Sequence, residues 1–408
     1  MWRTVKISEV CEFQSGLWKG KKGPFTNANV IRNTNFRNNG NLSYENVALL
    51  EVETKELYKR QLKHGDIILE KSGGGEKTPV GRVCLFEKQD NKIPFSLSNF
   101  TCFIRVKDPS ILNYKYLHKF LYYLYATGKT EPMQRNSTGI RNLQLKEYKD
   151  ISIPLPTITE QKSIVDKLST AFTEIDKSIK SIEKKIIEIE KLEEAKKLSL
   201  FNNLASSTTH LEKVANITNG FAFKSSDFQK SSGIPVIKIS NVGLKEFIKT
   251  DDINLPNNFL KKYPGFIVRE GDIVFALTRS VISGGLKIAK VPKIYDKALL
   301  NQRVASINTN KNLMNIDFLY HFLSSSIIRD YVLKNANTLM QPNLSISNLK
   351  KIQIPSITVK QQTEYVEVLN KISHEFVNLK KLQTKKLHEL KSLKLSFINH
   401  EINNKKAA

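Results

Sequence analysis

The chain has 408 residues, is 40% apolar and 25% charged, and carries a formal net charge of +25. That length exceeds one ordinary hydrophobic core and the composition is globular, which excludes a disordered or fibrous chain and calls for two or more domains. No run of 18 apolar residues occurs and no hydrophobic leader follows Met1, so a soluble, cytoplasmic protein is expected. Cys11, Cys84 and Cys102 are odd in number and lack CxxC spacing, so they read as reduced packing residues and not as disulfides or a zinc site.

Residues 1–158 form a first globular segment. "VIRNTN", "DIILEKSG", "RVCLFE" and "FTCFIRV" read as short strands, being rich in β-branched and aromatic residues. Glycines and Pro79 punctuate them, and a helix is expected over Asn113–Ala126. "SIPLPT" reads as an extended proline linker, because proline pushes its predecessor out of the helical region. Thr159 with Lys162 gives only half a capping box for the helix that follows.

Residues 159–204 form that helix. Leu168, Phe172, Ile175, Ile179, Ile182, Ile186 and Ile189 recur at steps of four and three, a heptad seam without proline or glycine. From Glu160 to Leu204 there are nine residues of each sign, so the stretch is neutral. At 1.5 Å per residue it would span roughly 67 Å, and its apolar stripe needs a partner. Residues 359–404 offer one, with Val366, Leu369, Ile372, Phe376, Leu379, Leu387, Leu390 and Phe397. Gln383 and Lys386 disturb that second seam midway.

Residues 205–358 form a second globular segment that repeats the first. "ISEVCEFQSG" (Ile7–Gly16) matches "LEKVANITNG" (Leu211–Gly220), "VIRNTN" matches "VIKISN", and "GDIIL" matches "GDIVF". "NLQLKEYKDISIP" (Asn142–Pro154) matches "NLSISNLKKIQIP" (Asn343–Pro355), and "TEQ" (Thr159–Gln161) matches "VKQ" (Val359–Gln361). The fixed order at offsets of 200 to 206 indicates a two-unit repeat of domain plus helix. The fold class is therefore α+β: two domains with mostly antiparallel sheets, joined by two long antiparallel coiled-coil helices. Each globular segment has an excess of ten positive charges, an electrostatic footprint suited to nucleic acid.

The sequence shows no HExxH, no GxSxG, no paired zinc ligands and no cofactor loop with a methyltransferase tetrapeptide, so no catalytic or metal site is expected on this chain. "KSGGGEKTPVG" (Lys71–Gly81) lacks the ending of a nucleotide-binding loop and fits a phosphate-contacting loop or a hairpin turn. Residue types able to grip phosphates or base edges are abundant. In the first segment the candidates are Lys19, Lys21, Lys22, Arg32, Asn33, Asn35, Lys71, Lys77, Arg82, Arg135, Asn136 and Arg141. In the second they are Lys224, Lys238, Asn241, Arg279, Asn301, Gln302, Arg303, Gln341 and Asn343. Asn35 and Asn241 sit at equivalent repeat positions, so a shared structural turn is their alternative role. "FRNNGNLSYENVALLEVETKELYKR" and "VGLKEFIKTDDINLPNNFLKKYPGF" differ while their flanks agree, so the two domains should prefer different DNA sequences.

The ordered set of two "GDI" strands with Gly-ended loops, two "IP" segments and helices opening "TEQKSIVDKL" and "KQQTEYVEVL" resembles the specificity subunit of Type I restriction–modification enzymes. The resemblance covers 1–404. It implies two target recognition domains on double-stranded DNA, with the paired helices setting the distance between half-sites. It also implies two methylation subunits that supply S-adenosylmethionine chemistry, and a motor–nuclease subunit that uses ATP and magnesium. A coiled-coil adaptor or scaffold with incidental basicity is the alternative of a different class.

Overall fold

The computed structural model describes residues 2–403 other than 19, 21, 76–77, 89–91, 138, 205–206, 231, 251–252 and 337–342. It divides into two compact units: 1–183 with 385–408, and 184–384. The long helices, Ile158–Asn202 and Val359–Asn403, each contribute one half to either unit.

In the first unit a four-stranded antiparallel sheet runs in the order Cys11–Ser15, Thr101–Val106, Ile67–Glu70, Val83–Leu85. Beside it Phe25–Ile31 pairs antiparallel with Ala48–Glu53 and parallel with Phe95–Leu97. The second unit repeats both sheets, with Ala215–Asn219, Val304–Thr309, Ile273–Ala276 and Ile288–Lys290 in the first. Ile234–Ile237 pairs antiparallel with Asn254–Leu255 and parallel with Leu299–Leu300 in the other. One parallel pair per unit thus interrupts an otherwise antiparallel plan.

The repeated residues explain the repeated turns. Gly16 and Gly220 each end the first sheet strand, and a Cβ there would lie 2.1 Å from the Ser98 carbonyl oxygen or 1.9 Å from that of Asn301. Only glycine lets those chains meet. In "GDI", Gly65 and Gly271 take positive φ, and the buried Asp66 and Asp272 accept from the amides of Lys63 and Arg269. Asp66 also holds Arg105 through two 2.7 Å bonds, where Asp272 accepts from Asn308. These aspartates close a turn and lock it to the neighbouring strand.

Three expectations are corrected. Both "IP" segments are strands, not linkers: Ser152–Leu155 pairs with Arg3–Lys6, and Gln353–Pro355 with Thr208–His210. A two-stranded ribbon is all edge, so it tolerates proline without breaking a sheet. The first long helix starts with a full capping box two residues earlier than the half box expected at Thr159, and the second long helix carries its counterpart. Thr157 and Glu160 bond each other's amides, as do Thr358 and Gln361. The matching glutamines are therefore Gln161 and Gln362, so "TEQ" aligns with "KQQ" and not with "VKQ". Each is buried and ties three backbone groups. Gln161 accepts from the Asn113 amide and donates to the carbonyls of Ile111 and Pro156, and Gln362 does the same at Asn315, Leu313 and Ile357. Asn113 and Asn315 then cap the next helices, Tyr114–Ala126 and Ile316–Leu323. The second of these stops at Ser324, and a further helix, Ser326–Lys334, follows.

The helices pair antiparallel within each unit. In the first, Leu168, Phe172, Ile398 and Ile402 join the sheet core, and Lys394 donates to both oxygens of Asp176 at 2.7 and 2.8 Å. In the second, Phe376 is buried under Lys196, and Lys380 meets Glu193 at 3.4 Å. Ile175, Leu369 and Phe376 are buried, and Ile179, Ile182, Ile186, Ile189, Ile372, Leu387 and Leu390 are half-buried. Leu379 and Phe397 are not in the seam, being 45% and 40% exposed. The seam of the second helix turns instead through Lys380, Gln383, Lys394 and Ile398. Two lysines complete an apolar stripe by pairing with carboxylates across it, which a heptad count of apolar residues cannot register.

All three cysteines are buried without disulfides, and burial pushes each thiol up to about 12. No described helix is long and apolar enough to cross a membrane.

Candidate nucleic-acid interface

In the first unit the glycine-rich stretch is built into a sheet. Ser72–Gly74 pairs with Ile140–Leu143, which forms a hairpin with Gln134–Ser137. A Cβ on Gly74 would lie 2.3 Å from the Thr78 carbonyl oxygen, so the strand can curl this tightly only with glycine. Arg135 and Asn136 are exposed on the hairpin, with Arg141 half-buried opposite Asn136. Asn142 accepts from the Ser72 hydroxyl at 2.5 Å, and Asn33 donates to the Ser72 carbonyl at 2.7 Å. The turn carrying Arg32 and Asn33 is thereby fastened to the glycine strand. Lys71 is half-buried and donates to the Ser15 hydroxyl. Lys22 is exposed nearer the start of the chain. Lys19, Lys21 and Lys77 lie outside the described residues.

The second unit has a smaller counterpart, the ribbon Val281–Ile282 with Gly285–Leu286. Arg279 precedes it in left-handed backbone (φ +49°), and its amide donates to Asn343. Leu277 donates its amide to the Arg303 carbonyl, which brings Asn301, Gln302 and Arg303 beside Arg279. Lys287, which the sequence analysis missed, donates to the Ile239 carbonyl within the turn that begins at Lys238. Burial, and after it the Arg279 charge, push the pKa of its ammonium below the ordinary value. Arg279, Gln302 and Arg303 are exposed, and so is Lys224. Gln341 lies outside the described residues.

Three candidates belong to the fold and are corrected here. Asn35 is buried, accepts from the Arg32 amide and donates to the carbonyls of Ser43 and Glu45. Asn241 is buried, accepts from the Lys238 amide and donates to the Ile248 carbonyl and the Thr250 hydroxyl. Neither amide has an edge left to offer a base. Arg82 forms a bidentate pair with the buried Glu70 at 2.7 and 2.8 Å, and that pairing holds it firmly charged. The three were misassigned because their partners lie many residues away in sequence.

A cavity of about 730 Å³ opens beside Arg32 and Asn33, walled by Leu17, Val30, Leu50 and Val52, with Trp18 and Phe100 at its rim. Trp18 is 76% exposed and Phe100 45%. The sequence signal for it is the tryptophan inside the lysine run "LWKGKKG". Among the described residues no cluster of histidine, cysteine and carboxylate side chains is disposed to hold a metal ion.

The family model for the Type I restriction modification DNA specificity domain matches residues 1–191 and again 206–391. The chain belongs to this family. Each match takes in one repeat with its helix. The Type I restriction enzyme MjaVIII specificity subunit of Methanocaldococcus jannaschii is 28% identical over 299 residues, 68% of either chain. The EcoBI specificity subunit of Escherichia coli is 32% identical over 161 residues, 39% of this chain and 31% of its own. A solved chain described under complex assembly and conformational transition of the type I R-M system superimposes with a TM-score of 0.70. That match covers 98% of this chain and 97% of the other at 16% identity, a likeness of fold. As a member of the specificity family the chain serves DNA sequence specificity in a Type I restriction–modification system, not a scaffold role.

Proposed function

We propose that each unit reads one half of a bipartite DNA target, that the paired helices set the gap, and that the chain itself carries out no chemistry. Two methylation subunits would supply adenine methyl transfer with S-adenosylmethionine. A motor–nuclease subunit, with ATP and magnesium, would supply cleavage of unmethylated sites. The observation that carries this reading is the repeat itself: one scaffold twice over, with exposed cations at the rim of each copy and different residues between them. Phosphate contacts from Lys22, Arg135, Lys224 and Arg279 would fix register, while base edges meet Asn136, Gln302 and Arg303.

Half-sites on one face of DNA lie about 34 Å apart per turn. Each 45-residue helix spans roughly 67 Å, long enough to hold two readers at such a spacing. Tethering makes the second half-site contact intramolecular, so avidity adds to affinity. The test is a matched deletion of seven residues from both helices, beginning at Lys177 in the first and ending before Lys394 in the second. This shortens the pair by roughly 10 Å. Methylome sequencing of cells carrying the reconstituted complex should show both half-sites intact and the gap between them shorter by about three base pairs. An unchanged gap would rule out the spacer role. Exchange of residues 1–150 for those of a relative should replace one half-site and leave the other.

A further inference from the structure

The cavity of the first unit has no equivalent use for holding the fold together. On the matching face of the second unit, rings from that unit's own chain fill the space: Phe221 packs 4.6 Å from Tyr263 and 5.2 Å from Phe266. Phe221 stands at the repeat position of Leu17, each bridged in parallel to the matching strand end at Asn301 or Ser98. The first unit has the smaller residue there and leaves about 730 Å³ open. Trp18 and Phe100 offer apolar faces at its rim, and water would ordinarily disfavour such exposure unless a ligand covers it.

The polar groups narrow the ligand. The Asn33 amide nitrogen is held by the Ser72 carbonyl, which turns its oxygen the other way. That oxygen is shut off from water and so is closed to the cavity, which leaves the acceptor's place there to Glu51. Glu51 lies at the same cavity, exposed and with no hydrogen bond or ion pair among the described residues. Its carboxylate accepts hydrogen bonds. Arg32, exposed at the mouth, brings the positive charge. An occupant should therefore be flat and apolar on its faces, carry N–H donors on its edge, and be attached to an anion.

We infer that this cavity takes a nucleobase swung out of the DNA stack, and that it favours the amino-bearing bases cytosine, adenine and guanine over thymine. Stacking against Trp18 and Phe100 supplies the sequence-tolerant part of the binding. The Glu51 carboxylate receiving an exocyclic amino group supplies the preference, as glutamate does with the cytosine N4 amine. Arg32 takes the adjoining phosphate. The cost of unstacking is lowest for a base that is already unpaired. This inference rests on the DNA reading above and adds a base-binding pocket to the first unit alone.

The test uses the full chain with its methylation subunits, with Trp2→Phe in the specificity chain so that Trp18 is the only tryptophan of that chain. The probes are 24-base-pair duplexes of one sequence carrying a single central bulged C, A or T, or no bulge. Binding is followed by anisotropy, and contact at the cavity by the lifetime of a fluorescent cytosine analogue in the bulge. Bulged C and A should bind about tenfold tighter than bulged T or the perfect duplex. Trp18→Ala and Phe100→Ala should each erase that preference while leaving binding of the perfect duplex and the melting temperature unchanged. Equal binding of all four duplexes, each retaining its salt dependence, overturns the pocket and leaves the DNA reading standing. No salt-dependent binding of any duplex overturns both. A preference for bulged C and A that survives both alanine variants places the base elsewhere and also overturns the pocket.

Discussion

Arg82 and Lys287 occupy the same place in the two units, and so do Glu70 and Ala276. In each unit the amide of the second residue donates to the carbonyl of the first. In the first unit the side chains form a bidentate ion pair on a buried carboxylate. In the second no carboxylate is there, and Lys287 reaches the Ile239 carbonyl beside Arg279. The rim follows the same division. Phe100 of the first unit corresponds to Arg303 of the second, and Gly73 at φ +102° to Arg279 at φ +49°. One scaffold thus presents an apolar hollow with Arg32 at its mouth in one copy, and exposed cations over a filled interior in the other. The lesson is that duplicated backbone bonds preserve the platform while the side chains above it are free to diverge.

The comparison can be pressed hardest at what the units share. Gln161→Leu and Gln362→Leu each remove a buried side chain that bonds three backbone groups. At about 0.5–1.5 kcal/mol per hydrogen bond the loss should be about 1.5–4.5 kcal/mol in either unit. Guanidinium melts with hydrogen exchange will read it, and a loss confined to one glutamine would show that the units do not carry the same load.

Where the units differ, paired substitutions should give unlike results. Arg82→Ala strands the buried Glu70 and should cost about 3 kcal/mol of stability, whereas Lys287→Ala should cost under about 1 kcal/mol. If the two melt alike, the ion pair is not what sets the first unit apart. Arg279→Gly removes an exposed cation and relieves left-handed backbone. It should leave stability unchanged or raise it by under about 1 kcal/mol, and lower the salt-dependence slope of DNA binding by about 1. An unaltered slope would remove Arg279 from the phosphate contacts.

The smallest effect concerns acid. Burial pushes His118 of the first unit down to about 3, and its repeat position in the second unit is Tyr320. The unfolded chain takes up a proton near the ordinary value of about 6.5, which the folded unit refuses until about pH 3. Stability contributed there is present above 6.5 and declines as pH falls toward 3. His118→Leu should flatten that part of the acid limb of the first unit, tracked by hydrogen exchange between pH 6 and 4. A limb that keeps its slope would assign the acid sensitivity to other groups.

Much of the architecture was legible in the chain. Heptad spacing found both helices, because a seam repeats every few residues and needs no distant partner to be seen. The ordered repeat found the paired sheets, since "GDI" and the glycines Gly16 and Gly220 mark turns whose geometry is local. The candidate rim was legible only in part. Arg135, Arg279 and Arg303 are exposed where cations were expected, but the donors of Asn35, Asn241 and Arg82 are consumed by groups 7 to 12 residues away in sequence. Residue type alone does not distinguish a polar side chain that faces solvent from one that bonds a neighbouring turn.

From its letters the protein could be known as a doubled, basic α+β chain with two long amphipathic helices, because composition, periodicity and self-similarity are properties of order along the chain. Folding in three dimensions decided that Lys380 and Lys394 complete the helix seam, that one unit is filled by its rings and the other is hollow, and which cations remain for DNA. Those outcomes depend on volume and hydrogen-bond partners brought together from distant segments.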